Sequence, residues 1–194
     1  MSILGYTFED YRETVKKFHG AEAPGVLIGG FMVALAVRNL PEDILYDAIC
    51  ETRACLPDAI QILTPCTIGN GWLKVVHLGL FAVTLYGKHN YEGVRVFLDV
   101  GKVEPWQEIK AWFFKLKPKK EQNRERIIGE ITKAGENILS VQPIIVKPGV
   151  AEKKHKGQIG VCPECREAYP LDDGPACLLC QGNSPYVKKP RMYE

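Results

Sequence analysis

Cysteines set in twos, three positions apart, carry the clearest chemistry in this chain. Cys162-Pro163-Glu164-Cys165 and Cys177-Leu178-Leu179-Cys180 are separated by eleven residues. Each pair turns tightly enough to put two thiolates on one tetrahedral ion. Tyr169-Pro170 and Asp172-Asp173-Gly174 between them provide the strand end and turn by which a hairpin returns the second pair to the first. Structural zinc at Cys162, Cys165, Cys177 and Cys180 is the expected occupant. A redox dithiol would want a thioredoxin-like βαβ setting, and rubredoxin-type iron sites share the spacing in a more aromatic module. So short a module has too little core to fold without such a staple.

A second concentration of reactive side chains lies at residues 50–71, CETRACLPDAIQILTPCTIGNG. Cys50 ends an apolar run and reads as core packing. Cys55 stands at the start of a short helix that has Pro57 and Asp58 in its first turn, where exposed amides and the positive dipole end are expected to lower a thiol's pKa. Cys66 follows the helix and opens the turn Thr67-Ile68-Gly69-Asn70-Gly71, whose glycines permit positive φ. Local sequence leaves a site and plain packing equally open for Cys55 and Cys66. The two thiols meet only if the chain turns back. His19, at the end of a helix, fits a cap or surface role better than a ligand role on its own surroundings.

The segment ETRACLPDAIQILTPCTIGNGWL resembles the signature of the FmdE family of formylmethanofuran dehydrogenase proteins, in which a Cys-x-x-Asp-Ala-Ile-Gln segment precedes a Cys-Thr-x-Gly turn. The family pairs it with an upstream His-Gly-His-x-Cys-Pro-Gly segment. Here Phe18-His19-Gly20-Ala21-Glu22-Ala23-Pro24-Gly25 stands in that place, with Ala21 and Ala23 where the family has a second His and a Cys. A zinc ribbon behind the main domain is also found in some members. If the family site binds metal, the resemblance implies His19, Cys55 and Cys66 as its ligands here, with Asp58 or Glu22 as auxiliaries. Three N/S ligands and an open fourth position describe a substrate-binding or catalytic zinc. The resemblance implies an α+β core and association with a molybdenum or tungsten formylmethanofuran dehydrogenase.

The elements that must hold these residues follow from periodicity. Thr7 caps a first helix with Phe8, Tyr11, Val15 and Phe18 on one face, and His19-Gly20 ends it. Pro24 opens a second helix running to about Leu40. Its apolar run stops at Arg38 after 12 residues, short of the ~20 needed to span hydrocarbon. Gly29 and Gly30 inside it imply a closely packed neighbour. Residues 44–51 read as a strand, followed by the Cys55 helix and then by three strand-like runs at 72–78, 81–86 and 93–98 that suggest an antiparallel meander. A helix opened by Pro105 spans 104–115 with Trp106, Ile109, Trp112 and Phe113 on its apolar face. The basic knot 115–120 reads as solvated charge before a helix over 121–140, and 141–146 reads as an edge strand. His77 and His89 read as ordinary strand or turn residues. The fold class is α+β, with helices packed on a mostly antiparallel sheet in the order helix, helix, strand, helix, three strands, followed by the CxxC…CxxC ribbon. The domains are 1–147, a linker at 148–158 and the ribbon at 159–194.

The chain of 194 residues is 46% hydrophobic and 25% charged, with a net charge of +2, values of an ordinary globular protein. Seven cysteines with CxxC spacing suit a reducing compartment. The polar N-terminus resembles no secretory signal, so the expected location is the cytoplasm. No membrane partner is expected. A nucleic-acid partner is disfavoured by the near-neutral charge, although Lys188, Lys189 and Arg191 lie near the ribbon. Homodimerisation is expected from the two apolar helical faces. Two function classes stay open. One is a zinc-binding accessory or metal-handling protein in one-carbon or molybdenum/tungsten enzyme metabolism. The other is a small metal-dependent enzyme with an open metal at His19, Cys55 and Cys66.

Overall fold

Leu4 and Gly5 both adopt left-handed backbone, with φ of 47° and 91°, which is the geometry of a two-residue hairpin turn. Ser2–Ile3 (β1) therefore folds back on Tyr6–Thr7 (β2), a hairpin too short to have left a periodic signal. The computed structural model describes residues 2–152 and 157–187. Residues 153–156 of the expected linker, and Lys188, Lys189 and Arg191, lie outside the described residues. The chain divides into two compact units, Met1–Ala151 and Glu152–Glu194.

Helix α1, Phe8–His19, begins where the Thr7 hydroxyl accepts the Asp10 amide at 3.2 Å, and it ends at Gly20 in left-handed conformation (φ 82°). Helix α2, Pro24–Arg38, is buried along nearly its whole length. Its glycines explain how closely the neighbours pack. A Cβ on Gly29 would stand 2.7 Å from the Ala59 Cβ, and one on Gly30 would overlap the Tyr11 ring. The Tyr11 hydroxyl donates to the Val26 carbonyl at 2.9 Å, tying α1 to α2.

Strand β3, Tyr46–Cys50, is followed by α3, Leu56–Leu63, and by β4, Leu73–Val75. Then come β5, Ala82–Gly87, and β6, Glu92–Leu98. With β7, Leu139–Ile145, they form one sheet in the order β4-β3-β5-β6-β7. Three of its four pairings are antiparallel, whereas β3 and β4 are parallel. The expected three-strand meander is therefore corrected: β4 lies on the far side of β3 from β5. The helix α3 makes the difference, because a helical crossover returns the chain to the end it left and enforces parallel pairing.

The helix expected over 104–115 is α5, Gln107–Phe113, and a short helix not expected from the sequence, α4 at Val100–Val103, capped by the Asp99 carboxylate, precedes it. Pro105 lies in the break between them, where it has no amide hydrogen to offer a continuous helix. The helix expected over 121–140 is α6, Arg124–Ala134, which stops at Gly135 (φ 51°) and gives way to a 3₁₀ turn and then β7. Pro143 is tolerated in β7 because that strand is an edge. The first four residues of the expected linker form a short helix, α7 at Pro148–Ala151, whose Val150 and Ala151 carbonyls accept from the Lys74 ammonium at 2.5 and 2.6 Å. His77 and His89 are exposed. Among the described residues no helix is long and apolar enough to cross a membrane. The second unit contains the antiparallel hairpin β8, Ile159–Val161, and β9, Ala168–Pro170.

Candidate functional site

In the second unit, β8 runs into Cys162 and β9 leaves Cys165, so the hairpin brackets the first CxxC pair instead of lying between the two pairs. Arg166, in left-handed conformation (φ 67°), donates its amide to the Cys162 carbonyl at 3.0 Å and closes the knuckle. The second pair opens a single helical turn, Leu179–Asn183, and the Cys177 amide lies 3.5 Å from the Cys162 sulfur. All four sulfurs fall within 4.8 Å of one another, with Cys165 and Cys177 3.6 Å apart. Thiolates on one tetrahedral zinc, with Zn–S near 2.3 Å, stand about 3.8 Å from each other. The four residues therefore fit zinc. The Cys162 thiol is already lowered to about 6, first by the Cys177 amide and then by that of Cys165. Cys180 is pushed up by desolvation and by its neighbouring thiols. A bound cation would replace the protons these crowded groups otherwise keep.

In the first unit, α1 and α3 bring His19 and Asp58 together. The His19 Nδ1 lies 2.6 Å from Asp58 Oδ2, so the ring N–H donates to the carboxylate and Nε2 is the free nitrogen. Cys55 precedes α3 with φ 58°, a left-handed conformation that costs on the order of 1 kcal/mol in a residue with a side chain. Packing holds it there. A Cβ on Gly25 would stand 2.8 Å from the Cys55 Cβ and 3.1 Å from its sulfur, so only glycine at the start of α2 leaves room. His19 and Cys55 face one cavity of about 480 Å³, whose other walls include Trp112, Lys119, Gln122 and Arg124.

Three expectations change here. The Cys55 thiol is raised, not lowered: burial comes first and the Asp58 carboxylate second, and both outweigh the dipole of so short a helix. Cys66 does not join His19 and Cys55. It is fully buried, its sulfur donates to the Tyr46 carbonyl at 3.7 Å, and burial pushes it up to about 11. The cause is α3 itself, about 12 Å long at 1.5 Å per residue, with one cysteine before it and the other after it. Among the described residues, the four ribbon cysteines are the only group of three or more His, Cys, Asp or Glu with ligand atoms this close together. Finally, Glu22 is not a free ligand, because its carboxylate lies 3.3 Å from Arg12 and 3.7 Å from Arg124. Cys50 is core, as its position in an apolar run implies. It is fully buried, its sulfur donates to the Thr52 carbonyl at 3.2 Å, and burial raises it to about 11. The walls Trp112, Lys119, Gln122 and Arg124 were not legible as a site, since only tertiary packing selects which face of α5 and which member of the basic knot meet the cavity.

Residues 18–146 match the family described as FmdE, Molybdenum formylmethanofuran dehydrogenase operon, and residues 153–187 match the FmdE treble clef zinc finger. The chain is 63% identical to a tungsten formylmethanofuran dehydrogenase FmdE-like protein of Syntrophus aciditrophicus. That protein's crystal structure superposes with a TM-score of 0.89 over 96% of this chain and 98% of the other. A probable S-adenosyl-L-methionine-binding protein of Archaeoglobus fulgidus is 30% identical over 198 residues, covering 87% of this chain and 51% of that protein. The chain thus spans about half the length of this curated relative.

Proposed function

The chain belongs to the FmdE family, and from that premise we propose that it is a cytoplasmic accessory protein of molybdenum- or tungsten-dependent one-carbon metabolism that handles a metal in transit. The zinc module supports the fold around its own four thiolates, and the cavity at His19 and Cys55 is the working site. One observation carries the reading: a histidine whose Nδ1 is held by Asp58 at 2.6 Å shares a cavity with a thiol. A carboxylate behind a ligating histidine fixes its tautomer and raises its basicity. A resident zinc wants three or four protein ligands, whereas this cavity supplies two. Two ligands suit an ion that arrives with other ligands and leaves with them. A large molybdenum or tungsten enzyme is the proposed partner, and a homodimer the proposed assembly. Phe114 and Leu116, just past the end of α5, are 41% and 62% exposed.

The second reading, a small metal-dependent enzyme, draws on the same His19–Asp58 pair and requires Cys66 to swing into the cavity as a third ligand. Zinc titration under a competing chelator separates the two. The metal-handling reading expects one tightly held ion per chain and a second that exchanges freely, is lost in a His19→Ala/Cys55→Ala variant and survives Cys66→Ala. An Asp58→Asn change should weaken the second ion about tenfold or more. Loss of the second ion on Cys66→Ala would favour the enzyme, and uptake of a single ion by the wild type would sink both readings.

A further inference from the structure

The cavity lining also carries cations that metal handling does not use. Lys119 lies on the 3₁₀ turn Lys119–Glu121, and Gln122 and Arg124 follow it into α6. All three line the cavity that His19, Cys55 and Trp112 also face. The charges around it are unequally compensated. Asp58 is engaged with His19. Glu22, which also lines the cavity, is held by Arg12 and Arg124, and the Arg124 guanidinium donates to the Glu22 carbonyl at 2.9 Å. No carboxylate within the described residues pairs with Lys119, which leaves one ammonium in surplus, while the Gln122 amide on the same lining donates one hydrogen to the Lys117 carbonyl at 3.0 Å. Trp112 and Ile127 add apolar surface to the same lining. Binding cavities take this form when a mostly apolar body is oriented by a few placed polar groups, and a cation facing such a space selects an anionic group.

We propose that this cavity binds a small molecule with an apolar body and a carboxylate or phosphate head, the head held by Lys119 with Gln122 and Arg124 and the body lying against Trp112. The proposal rests on the reading that this cavity is the working site, but not on metal reaching it.

The test uses the full zinc-loaded chain and three probes of one shape: benzoate, phenyl phosphate and the uncharged benzamide. Binding is followed by tryptophan fluorescence, with Trp112→Phe identifying the reporting residue. At least one anion should bind while benzamide does not, and the tighter of benzoate and phenyl phosphate identifies the head group. Lys119→Ala should weaken binding about tenfold, the worth of one charge-assisted contact, while Lys120→Ala, an exposed lysine outside the cavity lining, should leave it unchanged. Equal binding of benzamide, equal losses in the two lysine variants, or no fluorescence change with either anion would overturn the proposal. His19→Ala/Cys55→Ala separates the two readings. If it abolishes metal uptake and spares anion binding, both stand. Metal uptake in the wild type without anion binding sinks this inference alone.

Discussion

Cys50 and Cys66 are both fully buried in the first unit, and their protonation couples to folding. Burial raises each thiol from 9.0 to about 11. The unfolded chain therefore releases these protons near pH 9, while the folded chain keeps them until about pH 11. The thiols' contribution is fully present below the unfolded value and is lost as pH rises through the folded one, on the order of 3 kcal/mol for each thiol. Tyr86, raised by burial to about 12, adds to the loss at the upper end. Urea unfolding from about pH 8 to about pH 10.5 should show stability falling with pH, and the slope should be shallower in Cys50→Ala and in Cys66→Ala whatever their stability at neutral pH. An unchanged slope in both variants would remove the thiols from the account. The same burial explains why the candidate site was only half legible in the chain. Residue type identified Cys55, Cys66 and His19 as capable of chemistry. Which of them face a shared space depends on the length of α3 and on the fit of Cys55 against Gly25, and neither is written in spacing alone.

At the scale of elements, α2 is the axis against which the others close, and its glycines set the distances. In an isolated helix Gly→Ala gains about 1 kcal/mol. At Gly29 a methyl group would meet the Ala59 Cβ at 2.7 Å and Leu56 Cδ1 at 3.0 Å, atoms of the helix that carries Asp58. Overpacking of that kind costs typically 1–3 kcal/mol, so Gly29→Ala should destabilise the first unit by about 1 kcal/mol or more in urea unfolding, against the propensity scale. Gly129→Ala, on α6 with nothing within 4 Å of its added Cβ, should stabilise or be neutral. If the two changes behave alike, close packing is not what keeps Gly29. Helices of this kind were readable because caps and apolar stripes are local: Thr7, Gly20 and Pro24 mark real ends. The place of β4 was not, because its residues carry the same alternation whether the strand pairs with β3 or with β5. The choice is made by the crossover through α3, a property of connection and not of composition.

The whole molecule joins two units with different sources of stability. The first has a continuous apolar core running from Ile3 to Leu139. Among the described residues of the second, the buried apolar ones are Cys162, Tyr169 and Ala176, with the other three ribbon cysteines packed on them, while Ile159 and Val161 of β8 are 60% and 64% exposed. So small a core cannot offset the entropy of ordering its residues, and the difference must come from metal coordination, which exists only in the folded state. Removing zinc with a strong chelator under reducing conditions should therefore unfold the second unit alone. Hydrogen exchange should show loss of protection at the β8 and β9 amides and unchanged protection in α2, β3 and β5, and a Cys162→Ala/Cys165→Ala chain should reproduce the pattern without chelator. A single transition in which the α2 amides lose protection together with β8 would mean that the units fold as one, and that the core of the first leans on the metal of the second. Selective loss would mean that the His19 and Cys55 cavity can be titrated with metal or with anions while the structural zinc stays in place, since the two sites then answer to separate folding equilibria.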